Sequence, residues 1–383
     1  MKKVVLSVAA LIFAATGFAQ SNDSDVEQLG NGNVSDVTQT GLMNVSDVFQ
    51  DGDYNDAEVE QTGTTNDSDL DQLGNHNDYH VTQNGTDNDS DVLQNGNGNL
   101  GGGASLIWGT RQIGDENYST TTSVGNWNNA GTSQEGDENY AEIDQEGDGN
   151  IANSGNFGIR QIGNFNDAVI EQTGNWNFAT TFQTGEDNQF LTTQNGDGNS
   201  ATSVQEGDRN LGGGGILGGG GTPPGIYVWG ILQQGDGNIA SSSSIGNDNN
   251  SGTGQFGNWN TAAIEQVGND NMANSGLWGN YQVGDDNNAY IGQFGNENYA
   301  HNNQQGDKNH AAATQTGDDN DSQTYQVGDC NISDVFQTGN DNISLVLQTG
   351  NDNVSLVTQN GTTHNSWVNQ VGNNNGSVVS QNN

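Results

Sequence analysis

The feature that most constrains this chain is a short repeat. Gln28, Gln39, Gln50, Gln61, Gln72, Gln83 and Gln94 recur every 11 residues. Each is followed by a glycine two residues on (Gly30, Gly41, Gly52, Gly63) and an asparagine three beyond that (Asn33, Asn44, Asn55, Asn66). The phase is interrupted and regained, and near the far end it reads Gln337, Gly339, Asn342, then Gln348, Gly350, Asn353. Across 383 residues 26 units are intact, and three are degenerate, with Ser123 or Ser244 for glutamine or His364 for asparagine. A unit this short cannot bury a face by itself, so the copies must stack.

Within a unit, residue types alternate. Asn33, Ser35, Val37 and Gln39 share one parity, and Val34, Asp36 and Thr38 the other. Period two means a β-strand with two distinct faces. Glycine at a fixed place among Asn and Asp marks a tight turn. Each unit is then one strand and one turn. Ser or Ala at the inward position favours two strands facing closely, so two units make one rung. The predicted fold is all-β: a two-sheet parallel β-solenoid with 22-residue rungs made of two 11-residue strand-turn units. With rungs about 4.8 Å apart, Gln and Asn at one height form amide ladders, each buried amide bonded to its own copy.

The ladder answers a difficulty raised by composition. Only 30% of residues are hydrophobic, and 48 acids against 6 bases leave a net charge of -42, which would otherwise read as disorder. The same charge excludes nucleic acid as a partner, since every phosphate would be repelled. Asp25, Asp47, Asp69 and Asp91 would stack in one column, repelling by about 0.9 kcal/mol per step before salt screening. Such repulsion would keep subunits soluble before assembly.

At the N-terminus Lys2 and Lys3 precede an apolar run, Val4 to Ala15, and small residues before Gln20. This predicts a signal peptide at 1–19 and a repeat region over 20–383. The run is too short for a membrane span, and no second one follows. The lone Cys330 permits no intramolecular disulfide. Insertions interrupt the repeat near 100–111, 151–160, 211–232 and 272–281. Gln112 and Gln233 are 121 residues apart, as are Gln161 and Gln282, and Ser123 and Ser244, which indicates duplication of a large block. Counting units places the first two insertions at one edge of the rod and the other two at the opposite edge.

No catalytic constellation is present. His76, His80, His301, His310 and His364 are scattered without a nucleophile at working distance, and no phosphate-binding loop occurs. The expectation is no enzyme, no cofactor and no metal. Gly-Asp-x-Asn recurs at Asp115, Asp148, Asp197, Asp236 and Asp285. Turn chemistry accounts for it, with calcium as the alternative.

The stretches from Ser35 to Gln50 and from Asn139-Tyr140-Ala141 to Gln145 resemble the curlin repeat of bacterial curli fibres, a likeness extending over about residues 22–383. The resemblance implies export through an outer-membrane secretion pore and nucleated amyloid assembly aided by a nucleator subunit. The expected function is a secreted structural subunit of curli-like functional amyloid fibres, at the cell surface or in extracellular matrix, acting in cell adhesion and biofilm. Its main partner would be itself, as an end-to-end homopolymer. The alternative is a monomeric β-solenoid surface adhesin or binding module. The terminal blocks look richer in aliphatic core residues (Val26, Val37, Val48; Val335, Val346, Val357) than the middle (Thr121, Thr132, Thr181, Thr192).

Overall fold

A computed structural model describes residues 21–101, 109–152, 157–212, 230–273 and 278–383. The expected signal peptide and the centres of the four insertions lie outside the described residues. Strands begin with Asp23–Leu29, Val34–Leu42, Val45–Asp51 and Asp56–Thr64 and run on to Asn365–Val371 and Gly376–Asn382. Consecutive units go to opposite sheets. Asp23–Leu29 pairs in parallel with Val45–Asp51, and Val34–Leu42 with Asp56–Thr64, so that Gln28 lies beside Gln50 and Gln39 beside Gln61. The result is two parallel sheets of 18 strand segments each, stacked as a β-solenoid of about 15 turns, with no helix among the described residues.

Alternation decides which face is inside. In Val45–Asp51, Ser46, Val48 and Gln50 are buried while Val45, Asp47 and Asp51 are exposed. Small Ser or Ala beside a β-branched residue lets the two sheets approach closely, leaving an interior only one side chain thick. The aliphatic column forms Val48, Val59, Leu70, Val81 and Val92 near one end and Val335, Val346, Val357 and Val368 near the other. Toward the middle the same position is less aliphatic, as expected, with Thr110, Thr132, Ser203, Ser242, Asn280 and Asn302 buried in it. Ile143, Ile159, Ile170 and Ile231 are buried there in one cluster beside Thr121, Thr181 and Thr192. The column therefore takes Ile, Thr, Ser and Asn where the terminal rungs have Val.

The breaks at the first two insertions fall in one sheet, between Leu100–Gly101 and Thr110–Ile113 and between Ile151–Ala152 and Ile159–Ile162. The next two fall in the other sheet, after Leu211–Gly212 and after Met272–Ala273. The duplicated block holds an odd number of units, which moves each copy to the opposite sheet. The breaks lie two residues into a strand and not at a turn, unlike the edge placement expected from unit counting. Beside the two longest insertions the core admits a ring. Tyr79 and Phe190 occupy the small-residue position and are buried. A Cβ on Gly101 would come within 2.6 Å of the Tyr79 ring, and one on Gly212 within 2.6 Å of Phe190.

Candidate assembly interface

Each glutamine side chain is fixed by its strand to point inward at the end of the buried face. Its Nε2 donates to Oε1 of the glutamine one rung further along. Gln28 reaches Gln50 at 2.6 Å, Gln50 reaches Gln72 at 2.8 Å, and Gln72 reaches Gln94 at 2.9 Å. In the other sheet Gln39, Gln61 and Gln83 follow the same rule. Near the far end Gln326 donates to Gln348 and Gln337 to Gln359. The second proton crosses between sheets: Gln50 Nε2 also donates to the Val34 carbonyl at 2.9 Å, and Gln348 Nε2 to that of Ile332 at 2.9 Å. One amide thus joins the rungs and the two sheets, with its buried polar atoms satisfied.

Asparagine runs the opposite way. Oδ1 of Asn44 accepts from both the backbone N–H and Nδ2 of Asn66, each at 3.1 Å. Asn33 accepts in the same manner from Asn55 N–H, Asn320 from Asn342, and Asn331 from Asn353. Asparagine Nδ2 ties the turn down, as Asn66 does on the Gly85 carbonyl at 3.1 Å. Gly30, Gly41, Gly52, Gly63, Gly339 and Gly350 all have positive φ, and their carbonyls point along the stack. A Cβ on Gly52 would collide with the carbonyl of Gly74, so this position requires glycine on steric grounds as well as for its dihedrals.

At the degenerate units the ladder is kept on one side. Ser123 Oγ donates to Gln145 Oε1 at 3.1 Å and Ser244 Oγ to Gln266 at 3.0 Å. The small inward hydroxyls are a different matter. Ser46, Ser68 and Ser90 stack in register, yet their buried Oγ atoms have no hydrogen-bond partner, because adjacent rungs lie too far apart for a hydroxyl to bridge.

Among the described residues the terminal strands are paired on one side only. Asp23–Leu29 and Val34–Leu42 pair forward, and Asn365–Val371 and Gly376–Asn382 pair backward. Among the described residues no donor reaches Oε1 of Gln28 or Gln39, and Gln370 and Gln381 each donate one Nε2 proton, to the carbonyls of Val354 and Asn365.

The acidic column also forms, with Asp25, Asp47, Asp69 and Asp91 in register on the outer face. Partial burial, then the charges of Asp71, Asp91, Asp47 and Asp67, push the Asp69 carboxyl up to about 6. Burial and then Asp56 and Glu58 do the same to Asp78, also about 6, against the opposing pull of His80. The Gly-Asp-x-Asn carboxylates staple turns: Asp115, Asp148, Asp197 and Asp285 each accept a backbone N–H from the previous rung at 2.8 Å, and Asp236 one at 2.9 Å.

One grouping went unseen in the sequence. Glu58, Glu60 and His80 bring one ligand atom each within 4.8 Å of one another, a donor set suited to a divalent metal. They come from two successive strands of one sheet, so only the rung register reveals it. His301, by contrast, is buried beside Tyr325 with its pKa held down by desolvation. His310 faces Asp334 at 3.3 Å. The free Cys330 is exposed in a turn.

Two sheets coiled around stacked amides define a structural repeat protein, with the side chains that recur directed at neighbouring copies of themselves. The family model of the curlin associated repeat matches residues 44–74, 52–85 and 252–274. No curated protein matches the chain. Repeat and fold point to a structural protein rather than an enzyme, to self-assembly, and to an extracellular or cell-surface location. No described helix is long and apolar enough to cross a membrane.

Proposed function

We propose that this chain is a secreted subunit of curli-like fibres and that it polymerises end to end in a single orientation. The observation that carries this reading is the direction of the ladders. Donors of the buried glutamine ladders and acceptors of the buried asparagine ladders point toward the C-terminal end, as in Gln348 to Gln370 at 2.8 Å and Asn375 Nδ2 to Asn353 Oδ1 at 2.8 Å. The N-terminal end then offers glutamine acceptors, and the C-terminal end glutamine donors. Head-to-tail stacking joins donor to acceptor, whereas tail-to-tail stacking sets donor against donor.

The rung count supports the same geometry. Asn365–Val371 lies in the sheet of Asp23–Leu29, and Gly376–Asn382 in that of Val34–Leu42. A second copy therefore continues both sheets without a half-rung offset, with Gln370 meeting its Gln28 and Gln381 its Gln39. Open strand edges of this length template further pairing, and stacked amides give cross-β fibres their stability. Adhesion and biofilm roles, a secretion pore and a nucleator subunit belong to this same reading through the curlin repeat.

Purified mature protein should form fibres that bind an amyloid dye and show meridional diffraction near 4.8 Å. Added preformed fibre should abolish the lag. Protein that remains monomeric for days at high concentration, with or without seeds, would overturn the proposal.

A further inference from the structure

The two edges of the rod, where the turns lie, carry different chemistry. At the third position of every turn the backbone is left-handed. On the edge that follows the strands of Asp23–Leu29's sheet, this position holds Trp127, Trp176 and Trp259, which are 68%, 70% and 66% exposed. On the opposite edge it holds Glu116, Glu138, Asp187, Asp248 and Asp270, with Phe165 and Arg209, which pairs with Asp248, as exceptions.

Neither folding nor ancestry explains the tryptophans. A bulky side chain at φ of 60°, 58° or 57° is strained where Gly, Asn or Asp would be relaxed. The rings are not buried in return. The 121-residue duplication relates Trp127 to Asp248, Trp176 to Glu297 and Trp259 to Glu138, and each acidic counterpart lies on the opposite edge. The tryptophans are thus not carried by the copied position, although Phe165 and its counterpart Asp286 are placed the other way round.

Each ring also has a prepared seat. A Cβ on Gly98 would lie 2.7 Å from the ring of Trp127, one on Gly149 2.7 Å from Trp176, and one on Gly237 2.5 Å from Trp259. Glycine beneath leaves room for each indole, which stays largely exposed. Each tryptophan follows a neutral amide, Asn126, Asn175 or Asn258.

We propose that this edge binds an extended, uncharged β-1,4-linked glycan. The aromatic faces, electron-rich at their centres, attract the C–H faces of sugar rings. One rung, about 5 Å, is close to the length of one hexose in such a ribbon, so rings two and three rungs apart, about 10 and about 14 Å, fall in step with every second or third sugar. Nδ2 of Asn126, Asn175 and Asn258 donates one proton each, to Asp148, Asp197 and Asp285 in turn, and the other is left for a sugar hydroxyl. A polyanionic glycan would be repelled by the net charge of -42. The inference depends on the solenoid and not on polymerisation.

Mature protein kept monomeric at low concentration should co-sediment with microcrystalline cellulose or chitin. The triple variant Trp127→Asn, Trp176→Asn, Trp259→Asn should lose at least tenfold in retention. Asparagine suits the left-handed turn, as Asn374 does, so the fold should persist and circular dichroism can verify it. The control Trp367→Asn, at an exposed ring on an outer sheet face, should bind as the parent does. Equal retention by the triple variant, or none by the parent, overturns the proposal. So does a triple variant that alters only the lateral bundling of fibres, since the edge would then be a rod-to-rod contact.

Discussion

The first rungs and the last rungs of the rod have nearly the same interior and opposite exteriors. Inside, Val48, Val59 and Val81 near the N-terminal end correspond to Val335, Val346 and Val357 near the other, flanked by the same serine and glutamine columns. Outside, the first end carries Asp25, Asp47, Asp69 and Asp91 in one column, with Glu58 and Glu60 on the other face. The last end carries Leu345 beside Trp367 and Leu356 beside Val378. The interior is held by the registered glutamine and asparagine columns, and a departure there breaks a ladder. The exterior is free, so charge can be graded along the rod without disturbing the fold.

If that division holds, substitutions in the interior should act alike at both ends. The largest effect is expected for Gly74→Ala and Gly339→Ala. In each, a new Cβ meets the carbonyl of the glycine one rung on, Gly96 or Gly361, at a residue with φ of 117° or 106°. Strain and overpacking together should cost about 3 kcal/mol or more. Hydrogen exchange of the flanking strands should rise to a similar extent in the two variants. A tolerated alanine at either end would mean that the turns are not set by this steric contact.

Next come Gln72→Leu and Gln348→Leu. Each removes a donor to the next glutamine and leaves the preceding one, Gln50 or Gln326, without its acceptor. Backbone carbonyls of Asp56 and Ile332 also lose their donors. Leaving buried polar groups unpaired should cost roughly 2–4 kcal/mol in total. Denaturant midpoints should fall equally for both. A loss confined to the C-terminal variant would show that outer-face charge weakens the ladder beneath it.

Exterior substitutions should separate the ends. The Asp69 carboxyl stands at about 6 in the folded chain against an ordinary value of 3.8, chiefly from burial and secondly from the column of like charges around it. Between these values the folded chain holds a proton that the unfolded chain has released, so stability rises as pH falls through about 6 and levels off near the lower value. Seeded fibre growth should accelerate several-fold from pH 7.5 to 5.5, and added salt should mimic part of the change by screening. Asp69→Asn should make the pH profile shallower, the remainder coming from groups such as Asp78, while Leu345→Asn at the other end should leave it intact. An unchanged profile in Asp69→Asn would remove the acidic column as the source.

How much of this could be read beforehand follows the same division. The repeat of Gln28, Gly30 and Asn33 and the parity of Ser35 and Val37 are local, so strand, turn, rung length and interior were all legible from one stretch of chain. What was not legible depends on which rung lies next to which. Tyr79 fits only because Gly101 and Gly109 lie beside it, across an insertion. Glu58, Glu60 and His80 converge because their strands are neighbours. The tryptophan edge emerges when alternate turns are assigned to alternate edges, a step the period already permitted. Ladder direction could not be read at all, because an amide's orientation is set by its partners in space.

The smallest expected effect tests whether the serine column contributes by its hydroxyl or only by its size. Ser68 Oγ near one end and Ser344 Oγ near the other are buried without a partner, at a position where Ala141 and Ala168 stand in the same sheet. Removing an unsatisfied hydroxyl while retaining its Cβ relieves a desolvation cost and leaves a gap of about one atom. Ser68→Ala and Ser344→Ala should therefore each stabilise by up to about 1 kcal/mol, read as a raised denaturant midpoint with unchanged slope. Destabilisation by either variant would mean that the hydroxyl makes a hydrogen bond in solution, and that the inner column is held by polarity as well as by fit.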